Sequence, residues 1–319
     1  MEISIHKPMN VRRTLPLLFT TIALAHADDK LDFKPAFEIG KTYHQQMEMT
    51  QDMPIPKAGK MHMVIGMDMD MAVEAGAAPG ETKVVISYEA MRMKADMAGK
   101  QTMNYDSKDP ATAKAPGSES FAQMVGAKII MTLDAQNLPV KIEGLDKLSK
   151  NPAASQFLNE DAMKNMFGQM GLMSLPKQPV GRGESWEFSQ AIPNPMMSLK
   201  VDGKYTYAAD EVQEGTKIVK VVFDGKLTMA MNEDAIAKSA GDASQTTKAR
   251  EAMKKMGMEI TDGVMHGSID FDPVLHFARK SEITTSMTMK MKNPENGEAM
   301  EMPMKQSTAI KLLKVEPTK

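Results

Sequence analysis

From residue 61 to residue 73 the chain alternates. Met61, Met63, Ile65, Met67, Met69, Met71 and Val73 hold the odd positions, and His62, Asp68 and Asp70 fall among the even ones. A strand has a period of two, so this run predicts a β-strand that is apolar on one face and mixed on the other. Residues 285–292 repeat the pattern, with Met287, Met289 and Met291 on one side and Ser286, Thr288, Lys290 and Lys292 on the other. A first strand is expected through Tyr43, Gln45, Met47 and Met49, and Pro54, Pro56 and Gly59 turn the chain back into the second. Residues 82–97 read as a strand or a bulged strand. Residues 104–120, rich in Asp, Pro, Ser and Gly, read as a loop, and residues 128–143 as a hairpin around Asp134. The stretch 281–313 returns to two strands joined by residues 293–297.

Two stretches change to a helical period. Asn151 and Pro152 cap a run in which Met163, Met166, Phe167 and Met170 recur on one face, ended by Gly171 and Pro176. Residues 233–256 carry Ala235, Ile236, Ala252, Met253 and Met256 and read as a helical insertion. Short motifs also recur in order. Gly80-Glu-Thr-Lys-Val-Val-Ile is echoed by Gly215-Thr-Lys-Ile-Val-Lys-Val, Gly40-Lys-Thr-Tyr43 by Gly183-Glu-Ser-Trp186, and the hairpin after Gly126 by one after Gly267 with Asp272-Pro273 in its turn. This order reads as an internal duplication. The expected fold is mainly β, with antiparallel sheet or sheets arranged as two similar lobes or a half-barrel, and one or two covering helices. The lobes would span 28–150 and 179–319, with a helical linker over 151–178 and the insertion 233–256 inside the second.

Residues 1–27 read as a signal peptide and not as part of the fold. Lys7, Arg12 and Arg13 form a basic region, residues 15–24 an apolar one too short for a bilayer, and Ala25-His26-Ala27 a cleavage motif. Export, to the periplasm or the outside, with cleavage after Ala27 is therefore expected. The chain has no Cys, so it can form no disulfide, no thiolate metal site and no lipid anchor of the bacterial cysteine type. With 39 Lys+Arg against 41 Asp+Glu, no overall field favours nucleic acid or an anionic membrane. No later stretch is apolar enough for a transmembrane helix. An outer-membrane barrel would need aromatic girdles, and only 5% of the residues are aromatic.

Catalytic signatures do not emerge. His44, His62, His266 and His276 are scattered, and the sequence has no nucleophile elbow and no phosphate loop. Gly181-Arg-Gly-Glu-Ser-Trp186 reads as a turn that anchors Trp186 in the core, because no strand leads into it and no helix follows. Asp68 and Asp70 share a strand face, where they would be solvated, share a proton or hold a hard cation. No enzymatic activity and no cofactor are expected.

The 34 Met are the unusual feature. They would simply pack a sheet face, or line an apolar surface for a ligand such as an acyl chain, with Met63, Met67, Met69, Met71, Met287, Met289 and Met291 as the contact residues. A third reading is a soft-metal site for Cu(I) or Ag(I), with Met61, His62, Met63, Met300 and Met302 as ligands and Met304 beside them. In a regular strand His62 would point away from Met61 and Met63 unless a bulge turned it.

The order Gly-Lys-Thr-Tyr43, Tyr-Asp-Ser107, Val-Gly126 before an Asp-centred hairpin, Leu-Pro176 and Gly-Glu-Ser-Trp186 resembles an uncharacterised family of exported bacterial proteins, a domain of unknown function. The resemblance implies export and a β-rich fold and supplies no catalytic residues. The expected architecture is also loosely similar to periplasmic lipoprotein-carrier half-barrels. The function expected is an exported, non-enzymatic binding protein for a hydrophobic ligand or an envelope partner. A periplasmic Cu(I)/Ag(I)-binding protein and a structural protein without a small ligand are the alternatives.

Overall fold

The computed structural model describes residues 30–34, 36–55, 58–113, 118–135, 137–145, 176, 178–193, 197–231, 257, 259–292 and 297–318. Among the described residues twelve strands form one antiparallel sheet: β1 Lys41–Ile55, β2 Gly59–Ala75, β3 Thr82–Met97, β4 Lys100–Asp106, β5 Lys128–Leu133, β6 Pro139–Glu143, β7 Ser185–Pro193, β8 Met197–Gln213, β9 Thr216–Met231, β10 Glu259–Asp272, β11 Phe277–Lys292 and β12 Ala299–Pro317. The strand order is β6-β5-β3-β2-β1-β12-β11-β10-β9-β8-β7, and β4 pairs with the far half of β3. Chain neighbours pair in both halves, and the last strand lies against the first. The recurring motifs take equivalent places, Gly40 leading into β1 as Gly183 leads into β7, and the Thr-Lys runs opening β3 and β9.

One expectation is corrected, and a second finds no support among the described residues. The halves are not separate lobes, because β1 and β12 pair from Lys41↔Pro317 to Asp52↔Lys305 and fuse them into one open sheet. Among the described residues the only helix is the four-residue α1, Glu119–Ala122, so no long helix covers the sheet there. The helical readings of 151–178 and 233–256 lie outside the described residues, save for residues 176 and 178, which are not helical.

Local chemistry explains the strands. The alternation of β2 is realised, and its odd positions share a face with the odd positions of β1 through Met47↔Met67, Gln45↔Met69 and Tyr43↔Met71. In β3 a bulge opposite Asp68 and Met69 shifts the register, so that Val84, Ile86 and Tyr88 before it and Met91, Met93 and Met97 after it face the same way. The β8–β9 hairpin closes over Glu214 and Gly215, both at positive φ, a geometry that a two-residue turn needs and that glycine adopts freely.

The apolar face carries the core. Tyr43, Met69, Met71, Val73, Val84, Ile86, Tyr88, Ile129, Met131, Leu133 and Phe277 are buried there, with Phe37, Phe121 and Met124 packed over them. In the second half Phe33 packs with Val180, Tyr207, Val219, Val221 and Phe271, and its ring centroid lies 5.4 Å from that of Trp186. Trp186 stacks in turn on Tyr205 at 5.4 Å. The Gly181–Trp186 segment is the expected turn, closed by a hydrogen bond from Gly181 N to Glu184 Oε2 at 2.8 Å.

Candidate functional site

Burial along the apolar face changes from one end to the other. Met69 and Met71 are sealed, at 1% and 0% exposure, beneath the segment after β4 and the residues before β1. Met47, Met67 and Met91 come next and are still buried. Beyond them Met49, Met53, Met61, Met63, Met93, Met97 and Met103 are half-buried, as are Met287, Met289, Met291, Met300, Met302 and Met304. The stripe that looks uniform in the sequence is therefore a closed core at one end and a partly open thioether surface at the other.

Register decides which methionines meet. Met53 lies opposite Met61, and Met61 opposite Met97. On β11 and β12 three successive same-face pairs are Met287↔Met304, Met289↔Met302 and Met291↔Met300. Residues 287–291 and 300–304, which the sequence placed in two different candidate sites, thus form one ladder. On the opposite face of the same strands Lys290 Nζ lies 3.0 Å from Glu301 Oε1, a cross-strand ion pair in the same register.

The β1–β12 ladder stops at Asp52↔Lys305, and the residues that follow bring Pro54 and Pro303 into the two strands. Proline has no N–H to give a ladder, so the strands part there. A hollow of about 550 Å³ opens at this point, lined by Met53, Met287 and Met304 together with Asp52, Lys60 and Lys305.

The polar face holds what the alternation assigned to it. His62 points to that face, its Nδ1 2.9 Å from Asp52 Oδ1, so Met61, His62 and Met63 do not converge, as a period of two requires. Among the described residues no group of three or more His, Asp or Glu side chains is arranged to hold a metal ion. Asp68 and Asp70 have separate partners and neither share a proton nor form an open cation site. Asp68 takes Arg92 in a bidentate pair at 3.0 and 2.5 Å, with Lys108 and Gln46 each at 3.2 Å. Asp70 lies 2.5 Å from His44 Nδ1, and His44 Nε2 lies 3.0 Å from Glu316 on β12. These clusters escape a reading of the sequence because their members come from four strands and a loop.

The hydrogen bonds from Arg92, aided by Gln46 and Lys108, hold the Asp68 carboxyl well below the usual carboxylate range against a smaller opposing effect of burial. The native state thus keeps a charge that the unfolded chain loses near pH ~4. The stabilisation is complete above that value and disappears as the pH falls through the lower native pKa. Asp68→Asn is expected to cost about 1–2 kcal/mol at neutral pH, after discounting for a partly exposed guanidinium. It should also flatten the loss of stability below pH ~4 relative to the parent. Urea unfolding of both proteins at neutral and acidic pH measures this.

A different signal lies inside the apolar face. Gln45 is 2% exposed, and its Oε1 has no hydrogen-bond partner among the described residues, nor has the Oγ of buried Ser281. Both face the side that carries the methionines, next to the central seam formed by β1, β12 and β11.

No helix of the described residues is long and apolar enough to cross a membrane. No curated protein matches the sequence. Among solved structures, the chain is similar to lipovitellin, at 12% identity and a TM-score of 0.52, over 89% of this chain and 26% of that one. It therefore spans about a quarter of the lipovitellin chain, and the likeness is one of fold. Weaker likenesses are to DynF of the dynemicin pathway of Micromonospora chersina, at 8% identity and a TM-score of 0.23 over 91% of this chain and 88% of that one, and to a Bacteroides fragilis protein with a YmcC-like fold, at 9% and 0.21 over 90% and 99%. Residues 79–274, from the β2–β3 turn to the β10–β11 turn, match the model of a family of unknown function, and the chain belongs to that family, DUF6263.

Proposed function

We propose that this is an exported, non-enzymatic binding protein that takes a hydrophobic ligand, such as an acyl chain, on the methionine end of its apolar sheet face. The observation that carries the reading is the half-buried thioether surface running across β1, β2, β3, β11 and β12, continuous with a closed core. A sheet face of this kind is an apolar site already formed, and unbranched thioether side chains adapt to chains of different length. The fold likeness to lipovitellin, whose structure was described for its lipid–protein interactions, supports the same class of ligand. Export follows from the signal-like residues 1–27. Cleavage after Ala27 would leave the polar Asp28 at the start of the mature chain.

The test is solvent extraction and mass spectrometry of protein purified from its native host, with titration of an apolar fluorescent fatty acid into the delipidated protein. A stoichiometric acyl lipid in the extract and saturable uptake of the probe are expected. Met63→Asp, which sets a charge on the half-buried part of β2, is expected to weaken uptake about tenfold or more. A clean extract together with no uptake would overturn the reading.

A further inference from the structure

We infer that the ladder of six methionines on β11 and β12 is a binding site for a soft monovalent cation, Cu(I) or Ag(I). The ladder is part of the proposed apolar surface, and thioether ligation of a metal ion is a chemistry distinct from acyl binding there. Three features carry it.

The first is convergence. Residues directly opposite in an antiparallel pair have Cβ atoms about 4.5–5.5 Å apart. Successive same-face residues on one strand lie about 7 Å apart. A methionine side chain turns about three bonds. Met289 and Met302, opposite each other and flanked by the 287–304 and 291–300 pairs, can therefore bring three or four sulfurs onto one ion. The unbroken β11–β12 ladder from Lys280↔Lys311 to Lys292↔Ala299 fixes the register that this requires, with the exposed Lys290–Glu301 ion pair on the other face.

The second is the choice of residue. In the closed core the same sheet face is built from Val73, Val84, Ile86, Ile129 and Leu133 as well as methionine, and β-branched and aromatic residues suit a strand best. On β11 and β12 the alternating positions 287–291 and 300–304 are methionine without exception. Apolarity alone would not select sulfur six times in succession, whereas thioether ligation selects Cu(I) and Ag(I) over hard ions.

The third is access. Met287 and Met304 line the hollow that opens where β1 and β12 part, so an ion has a path to the top of the ladder.

The experiment is calorimetric titration of the protein with silver nitrate in chloride-free buffer, and with Cu(I) against a chromophoric chelator under anaerobic conditions. At least one ion per chain is expected at micromolar affinity or tighter, with no uptake of Zn(II). Thioethers do not titrate, so the affinity should be constant from pH ~5 to ~8, where an imidazole site would lose it on the acid side. The double variant Met289→Leu with Met302→Leu keeps apolarity and volume and should fold normally. It is expected to lose about tenfold or more in Ag(I) affinity while keeping the urea unfolding midpoint of the parent, and because silver binding is read without any lipid probe, this inference and the proposed function fail by different measurements. Met61→Leu with Met63→Leu should bind the metal as the parent does. Equal silver affinity in the β11–β12 variant, loss in the β2 variant instead, or a fall in affinity through the imidazole range would each overturn the site.

Discussion

Replacing Gly267 by alanine is expected to destabilise the sheet by about 3 kcal/mol or more, the upper end for overpacking. A Cβ at this position would run into the carbonyl oxygen of Glu282 on β11 and lie 2.6 Å from Cζ and 2.8 Å from Cε1 of Phe223. Neither neighbour has room to yield. Glu282 is in the β10–β11 and β11–β12 ladders at once. Phe223 is 3% exposed, with its ring 5.2 Å from that of Tyr205 and 6.5 Å from that of Phe188. The absence of a side chain at Gly267 is what lets the Phe223 ring lie across β10, an aromatic cover over a strand glycine. Urea unfolding checks the effect. A variant within about 1 kcal/mol of the parent would mean that β10 and β11 are not so closely approached at this point.

Asp272→Ala is expected to cost about 3 kcal/mol by the same measurement. The carboxylate is fully buried at the β10–β11 turn. Its Oδ1 accepts from Val274 N at 2.9 Å and from Leu275 N at 3.0 Å, and its Oδ2 accepts from Arg279 Nε at 2.7 Å. Alanine would leave two part-buried turn amides without their acceptor and would remove the partner of Arg279, whose own side chain is partly exposed to water. Asp272→Asn keeps an oxygen for the two amides and should therefore cost less than alanine. If the two substitutions destabilise equally, the charge pairing with Arg279 dominates and the turn amides contribute little.

Both sites show how far a chain can be read before it is folded. Asp272-Pro273 was legible as a turn, because Asp and Pro favour turns for local reasons. That the same carboxylate is buried and binds Arg279 was not, since nothing near it in the sequence says how deep the turn lies. Gly267 read only as the start of a hairpin. Its close approach to Phe223 depends on β9 and β10 pairing as Gly267↔Phe223, a register set across 44 residues of chain, part of which lies outside the described residues.

The methionines divide in the same way. Alternation places Met61, Met63, Met67, Met69 and Met71 on one face, and the structure agrees, since a period of two is a property of the backbone itself. The pattern cannot say that Met71 is sealed while Met63 is half-buried, because what covers Met71 arrives from Phe37 and from the segment around Phe121 and Met124. His62 was legible as facing away from its neighbours. That Met289 meets Met302 was not, for the number of residues between the two strands leaves the register open until the β11–β12 ladder forms.

The amino-acid order therefore settles the elements and their faces: strands where apolar residues alternate, turns where Pro, Gly and Asp gather, and a chain without cysteine chemistry. These are decided within a few residues by backbone geometry. Folding settles the rest. Strand pairing joins β1 to β12 in one sheet, assigns Asp68 to Arg92 and His44 to Asp70 and Glu316, and divides a uniform methionine stripe into core and open surface. Such outcomes depend on contacts between residues far apart in the chain, where the free energy of burial is shared among many strands and no local pattern records it.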